Sequence, residues 1–186
     1  MKVTLIRHST TYGNSLKRYV GCRTDEPLSN EGKALAESYR PHYETSEKFV
    51  LFSSPMKRCI ETCSIIFPDT TPIIADDLKE MDFGIFENLN FQELSDNFQY
   101  REWVENNCLS PVPDGEDIKT FTERSFKAFR NCLNTVPENY NAVFCIHGGS
   151  IMAIMSRLFQ GDYFSYHVKN CEEYSFYMTS STVIMT

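Results

Sequence analysis

The chain has 186 residues, 41% of them hydrophobic and 23% charged, and its 14 Phe and 10 Tyr outnumber eight Gly and eight Pro. That composition can build a packed core and excludes disordered and collagen-like classes. Eighteen Lys+Arg against 25 Asp+Glu leave a formal net charge of −7, which argues against nucleic acid or an anionic membrane as partner but leaves room for a local cationic pocket.

No apolar run approaches the roughly 18 residues of a membrane span, and Val3–Ile6 before Arg7 is too short for a signal-peptide core. The seven cysteines include no CxxC pair and the four histidines show no ligand spacing, so neither a disulfide framework nor a structural zinc site is expected. Cys59 and Cys63, one helical turn apart, read as small buried residues. The setting expected is reduced and cytoplasmic. Oligomeric state cannot be read from the sequence.

Val3-Thr4-Leu5-Ile6 reads as a strand buried in a parallel sheet. Asn14 to Leu28 is loop-like, with Gly13, Gly21 and Pro27 as punctuation. A helix is expected from Ser29 or Asn30 to the stop at Pro41. Phe49–Phe52 reads as a second strand, followed after Ser53-Ser54 by a helix with Pro55 in its first turn, running to about Phe67. Ile73-Ile74 is a short third strand. Residues 84–116 read as an excursion that covers one side of the site. A helix from about Asp117 to Val136, a strand over Ala142–Ile146 and a helix to about Phe159 come next, and Glu173–Met185 suggests two edge strands. This alternation predicts one α/β domain over residues 1–186, a three-layer α/β/α sandwich with a mostly parallel central sheet.

Ligand sites in such sheets lie beyond the carboxyl ends of the strands. Three of those ends carry cationic or imidazole groups: Arg7-His8, the Ser53-Ser54-Pro55 turn with Arg58 one turn on, and His147-Gly148-Gly149. A lone histidine at a strand end is usually an ordinary hydrogen-bonded residue, and Arg58 alone would be a solvated helix residue; three coincident ends point to a site. The glycines permit a tight strand-to-helix turn and also aim backbone N–H groups at an anion. Arginine forks and helix N–H groups suit a phosphoryl group. In such a cradle an imidazole nitrogen can attack phosphorus, and a carboxylic acid of raised pKa can protonate the leaving alkoxide. Glu80, flanked by Leu78, Met81 and Phe83, is the acid whose neighbours would desolvate it.

Arg7-His8-Ser9-Thr10-Thr11-Tyr12-Gly13-Asn14 resembles the signature of the histidine phosphatase, or phosphoglycerate mutase-like, superfamily. The resemblance continues in family order through Gly21–Ser29, Ser53–Arg58, Glu80–Gly84, Gly115-Glu116 and His147–Gly149. It implies the phosphoglycerate mutase-like fold and a phosphohistidine mechanism with no metal or other cofactor. By the same resemblance His8 is the nucleophile, Glu80 the proton donor, and Arg7, Arg58 and His147 the phosphate clamp. Asn14, Gly21, Cys22 and the amide of Gly148 are further candidate substrate contacts. Two departures stand out: Ser9 where the family usually has glycine, expected to place a hydroxyl beside the phosphate, and Phe86-Glu87-Asn88 in place of a more usual Trp-Glu-Gly.

The mutases of this superfamily look longer and carry basic residues after the proton donor, whereas Ile85–Asn97 holds no Lys or Arg. Hydrolysis of a small phosphorylated metabolite is therefore the expected activity. Small bacterial α-ribazole phosphatases and broad-specificity phosphatases are the members most resembled. A cofactor-dependent phosphoglycerate mutase and an inactive phospho-ligand-binding module are the alternatives. Tyr19, Cys22, Phe83, Phe86, Tyr100 and Trp103 are candidate pocket walls, with core packing the expectation for most.

Overall fold

A computed structural model describes residues 1–43, 47–179 and 182–185. Six strands form one sheet: β1 (Lys2–Arg7), β2 (Phe49–Ser53), β3 (Ile73–Ile74), β4 (Asn141–Ile146), β5 (Glu173–Met178) and β6 (Val183–Met185). Their order is β3-β2-β4-β1-β5-β6, parallel from β3 to β1 and antiparallel for the last two. The tail thus forms two strands as expected, but only β6 is at an edge, since β5 pairs with both β1 and β6; residues 180, 181 and 186 lie outside the described residues.

Strand periodicity sorts the core into two faces. Val3, Leu5, Phe52, Phe144 and Ile146 pack with Ala128, Phe129, Ile151 and Ile154 of α5 (Ile118–Leu133) and α6 (Gly148–Phe159). Ile6, Leu51, Val143 and Cys145 pack on the opposite face with Ala36, Cys59, Cys63 and Ile66 of α2 (Asn30–Tyr39) and α3 (Lys57–Ile66). The result is the expected α/β/α sandwich. Because β4 lies between β1 and β2, the ends at His8, Ser54 and His147 are neighbours.

Local chemistry explains the boundaries. Ser29 caps α2 by accepting from the Gly32 N–H, and Asp117 caps α5 through the Lys119 and Thr120 N–H groups. Gly32 has no alternative, since a Cβ there would lie 1.9 Å from the Thr10 carbonyl oxygen. Three expectations need correction. Pro55 lies outside α3, whose N-cap is Met56. The stretch read as loop from Asn14 opens inside a short helix, α1 (Tyr12–Ser15), closed by a capping box between Thr11 and Asn14. The excursion at 84–116 contains a helix, α4 (Phe98–Glu105), whose mixed aromatic and acidic sequence hid its period. Phe86, Leu94, Tyr100, Trp103 and Val112 bury themselves against Met81, Phe121 and Ala153 and form a third apolar cluster beside the Glu80 segment. Among the described residues no helix is long and apolar enough to cross a membrane.

Candidate active site

Arg7, His8, Arg58, Glu80 and His147 come together at the carboxyl ends of β1, β2 and β4. His8, Arg58, Glu80 and His147 are all buried, Arg58 and His147 completely. The two imidazoles meet edge to face with ring centroids 5.1 Å apart. His8 Nδ1 lies 2.6 Å from the Ser9 carbonyl oxygen, which can only accept; Nδ1 therefore carries the proton and Nε2 keeps its lone pair. Burial, and then the charges of Arg58 and Arg7, push protonation of His8 well below its ordinary value. The ring is thus neutral and nucleophilic.

His147 is placed differently from a simple phosphate ligand. Its Nδ1 accepts from Arg58 Nε at 3.3 Å, so Nε2 bears the proton and donates to Ser54 Oγ at 2.7 Å. Burial first and Arg58 second keep this ring neutral too. His147 acts as a strut under Arg58. Arg58 also donates to the carbonyls of Val20, Gly21 and Thr24. Arg7 donates through Nη1 to the Val168 carbonyl at 2.7 Å, while its buried Nε has no protein partner. Among the described residues neither Arg7 nor Arg58 is ion-paired with a carboxylate. A buried guanidinium and a half-buried one whose Nε is buried, neither ion-paired, favour an anion between them.

Glu80 is hydrogen-bonded to neither arginine. Its Oε1 accepts from the Met81 N–H at 2.9 Å and its Oε2 from the Gly149 N–H at 3.0 Å. Burial raises its pKa, against those hydrogen bonds and the pull of Arg58 and Arg7. The carboxyl group is therefore biased toward the protonated, proton-donating form. Helix α6 has no side-chain cap. That leaves its first N–H groups available, Gly149 for Glu80 and Gly148 for a ligand.

The remaining candidates divide. Asn14 turns its Oδ1 to the Thr11 N–H and to Asn170 Nδ2, which leaves its NH2 group as a donor. Gly21 donates its N–H to Glu87 and lends its carbonyl to Arg58, so it supports the clamp and has no free donor for substrate. Cys22 is not brought to the cradle: it lines a separate cavity with Asp77, Lys79, Glu116 and Arg124, because its own N–H is tied to the Met81 carbonyl. Ser9 is likewise corrected. Its hydroxyl donates to the Gly32 carbonyl at 2.6 Å, fastening the end of β1 to α2, so its proton is not free for a phosphate. Asn88 explains the other departure. At φ 58° it occupies the left-handed region, which asparagine tolerates and glycine favours.

An apolar cavity of about 240 Å³ opens beside Glu80 and Gly149, walled by Tyr19, Met81, Phe83, Trp103, Met152 and Phe164, with no Lys or Arg in its lining. Phe86 and Tyr100 are core residues behind this wall. Of the ligand-type groups described, Cys22, Asp82 and Glu87 have donor atoms within 4.8 Å of one another. Asp82 is paired to Arg23 at 2.7 Å, and Glu87 accepts from Gly21 and Thr24, so both carboxylates serve internal partners.

Several supporting roles left no local signal in the sequence, even where the residue lies at a strand end picked out there, as Ser54 does. Ser54 orients His147, and Asn170 Nδ2 donates to the His8 carbonyl at 2.9 Å. Glu87 gathers the 21–24 loop, and Arg124 pairs with Glu116 beneath Glu80. Each acts on a group far away in the chain, Ser54 on a side chain and Asn170, Glu87 and Arg124 on backbone.

A family model described as the histidine phosphatase superfamily (branch 1) matches residues 3–183. The chain belongs to this superfamily. Among its relatives, "Probable phosphoglycerate mutase GpmB" of Klebsiella pneumoniae (strain 342) is 27% identical over 162 residues, covering 85% of this chain and 74% of that protein. "Uncharacterized phosphatase PhoE" of Bacillus subtilis (strain 168) is 26% identical over 162 residues, covering 86% and 78%. In fold, the chain is similar to the α-ribazole phosphatase from Shigella flexneri, with a TM-score of 0.85 at 20% identity over 100% of this chain and 95% of that one. All five residues that meet in the cradle lie within the matched span.

Proposed function

We propose that this histidine phosphatase hydrolyses small phosphomonoesters through a phosphohistidine on His8. His8 Nε2 forms the bond to phosphorus as the ester P–O bond breaks, and Glu80 gives its proton to the departing alkoxide. Water then attacks the phosphohistidine, losing a proton to the Glu80 carboxylate, and inorganic phosphate leaves with His8 restored. Arg7 Nε, Arg58 and the Gly148 N–H balance the charge on the transferring group. The observation that carries the reading is the buried Arg58 and the half-buried Arg7 with its buried, unpartnered Nε, neither paired with a carboxylate, beside an imidazole whose Nε2 is free.

For substrate, the apolar cavity beside the proton donor suits a leaving group with a ring and no negative charge, and α-ribazole 5′-phosphate is our first candidate. The phosphoglycerate mutase reading is favoured by the name of the Klebsiella relative. It is disfavoured by a cavity that offers no cation to a substrate carboxylate. The test is phosphate release with EDTA present over a panel including α-ribazole 5′-phosphate and 3-phosphoglycerate. Hydrolysis insensitive to EDTA, with the ring-bearing ester preferred, is the expected result. Interconversion of 3- and 2-phosphoglycerate without phosphate release would establish the mutase, and binding with no turnover the inactive module.

A further inference from the structure

We propose that Arg124, clamped by Glu116, is the positioning residue of the proton donor, fixing the backbone on both sides of Glu80 so that its carboxyl group meets the leaving oxygen. The inference rests on the reading of Glu80 as that donor.

An acid that protonates a leaving group must come within hydrogen-bond reach of it, about 2.6–3.2 Å, and small misplacements are costly. The nucleophile satisfies such a demand by standing at the end of a strand. Glu80 has no such support: it follows a short turn at Asp76–Leu78 and lies in irregular backbone. The substitute is the guanidinium of Arg124. Its Nη1 donates to the carbonyls of Asp77 at 2.7 Å and Lys79 at 3.0 Å, and its Nη2 to that of Glu80 at 3.4 Å. Nε and Nη2 grip the Glu116 carboxylate at 3.0 and 2.8 Å. All five N–H donors of the side chain thereby have acceptors, three of them in the four residues that end at Glu80.

Glu116 completes the bracket on the other side. Its N–H donates to the Asp82 carbonyl at 2.9 Å, and the Asp82 N–H approaches its Oε2 at 3.4 Å. The two side chains are only 16% and 15% exposed, so water screens the pair weakly. Glu116 also balances the charge of Arg124. The clamp therefore adds no net charge next to Glu80. A fork of fixed geometry is needed here; lysine offers three donors from one point and cannot span three carbonyls and a carboxylate.

The experiment compares kcat/KM, which reports phosphoenzyme formation, for an alkyl phosphate and for 4-nitrophenyl phosphate, whose leaving group hardly needs a proton. Wild type, Glu80→Gln, Arg124→Lys, Arg124→Gln and Glu116→Gln are measured alongside their thermal melting curves. Arg124→Lys keeps the ion pair and serves as the variant expected to fold where Arg124→Gln does not. The ratio of alkyl to aryl kcat/KM is expected to fall at least about tenfold in Arg124→Lys, in the same sense as in Glu80→Gln. A ratio unchanged in folded Arg124→Lys, with Glu80→Gln selective, overturns the positioning role alone. Equal loss on both esters in Glu80→Gln overturns the donor assignment, and this inference with it.

Discussion

The two halves of the site are built by different means. The side proposed to carry the nucleophile, Arg7, His8 and His147, stands on the ends of β1 and β4, where register with neighbouring strands fixes each backbone position. The proton-donor side stands on residues 76–82, outside the main sheet pairing, and is held by Arg124, Glu116 and the first N–H groups of α6. A parallel sheet positions groups through many cooperative backbone bonds, so single side-chain changes there leave the frame intact. Irregular backbone held by a few side chains is easier to displace. Substitutions on the first half should therefore remove chemical groups, and substitutions on the second should misplace one.

The largest expected effects come from the first half. His8→Ala should reduce turnover to background with near-normal melting of the sheet. Arg58→Ala, on α3 against that half, should cost on the order of 100-fold or more in kcat through lost charge stabilisation and also lower the Tm, because its buried bonds to His147 and the 20–24 loop are lost. Comparable activity in His8→Ala would remove the nucleophile assignment.

Gly149→Ala probes the second half by displacement. Its new methyl would lie 2.4 Å from Glu80 Oε1, so the carboxyl group must move. A displacement of this size should lower kcat/KM for an alkyl ester by tens-fold, up to about 100-fold, and for an activated aryl ester much less. Uniform loss on both esters would show that the substitution had damaged the cradle instead.

The neutral imidazoles give the first half a pH signature. Burial holds both His8 and His147 well below 6.5, whereas the unfolded chain takes up protons near that value. Their contribution to stability is full above pH ~6.5 and is lost progressively as pH falls below it. Burial of Glu80 works in the opposite sense, because its raised pKa makes its carboxyl group destabilising as pH rises past 4.5. The Tm of wild type should drop more between pH 7 and 5.5 than that of His8→Gln. Equal drops would contradict a neutral buried His8.

The smallest effect belongs to Asn88→Gly. Glycine fits φ 58° freely but gives up the 3.4 Å contact from Arg18 to the Asn88 side-chain oxygen. Stability should change by no more than about 1 kcal/mol in either direction, with kcat unaltered. A larger loss, read by chemical denaturation, would make the side chain a structural contact of the 86–88 turn.

This contrast also sets what could be read in the sequence. Short apolar runs ending in Arg7-His8, Ser53-Ser54 and His147-Gly148 mark strand ends, and sheet topology makes strand ends converge, so the cradle was legible. Glu80 was legible through its apolar neighbours. Ser9 was misread because its direction depends on the approach of α2 at Gly32, 23 residues on. Cys22 was misread because a loop without periodicity carries no sign of which cavity a side chain enters. Asn170, Glu87 and Arg124 act by hydrogen bonds to distant backbone, a relation with no local pattern. Helix α4 hid for a related reason: its aromatics are shared between the core and the wall of the cavity.

The central claim is that His8 carries the phosphoryl group and Glu80 moves the protons. It is tested most directly by mixing Glu80→Gln with 4-nitrophenyl phosphate in EDTA, quenching in alkali and mapping the modified peptide. Phosphorylation should proceed without the acid while hydrolysis, lacking its base, lags, so a phosphoryl adduct should accumulate on His8. Nitrophenol release with no adduct, or with the adduct on another residue, would contradict the account.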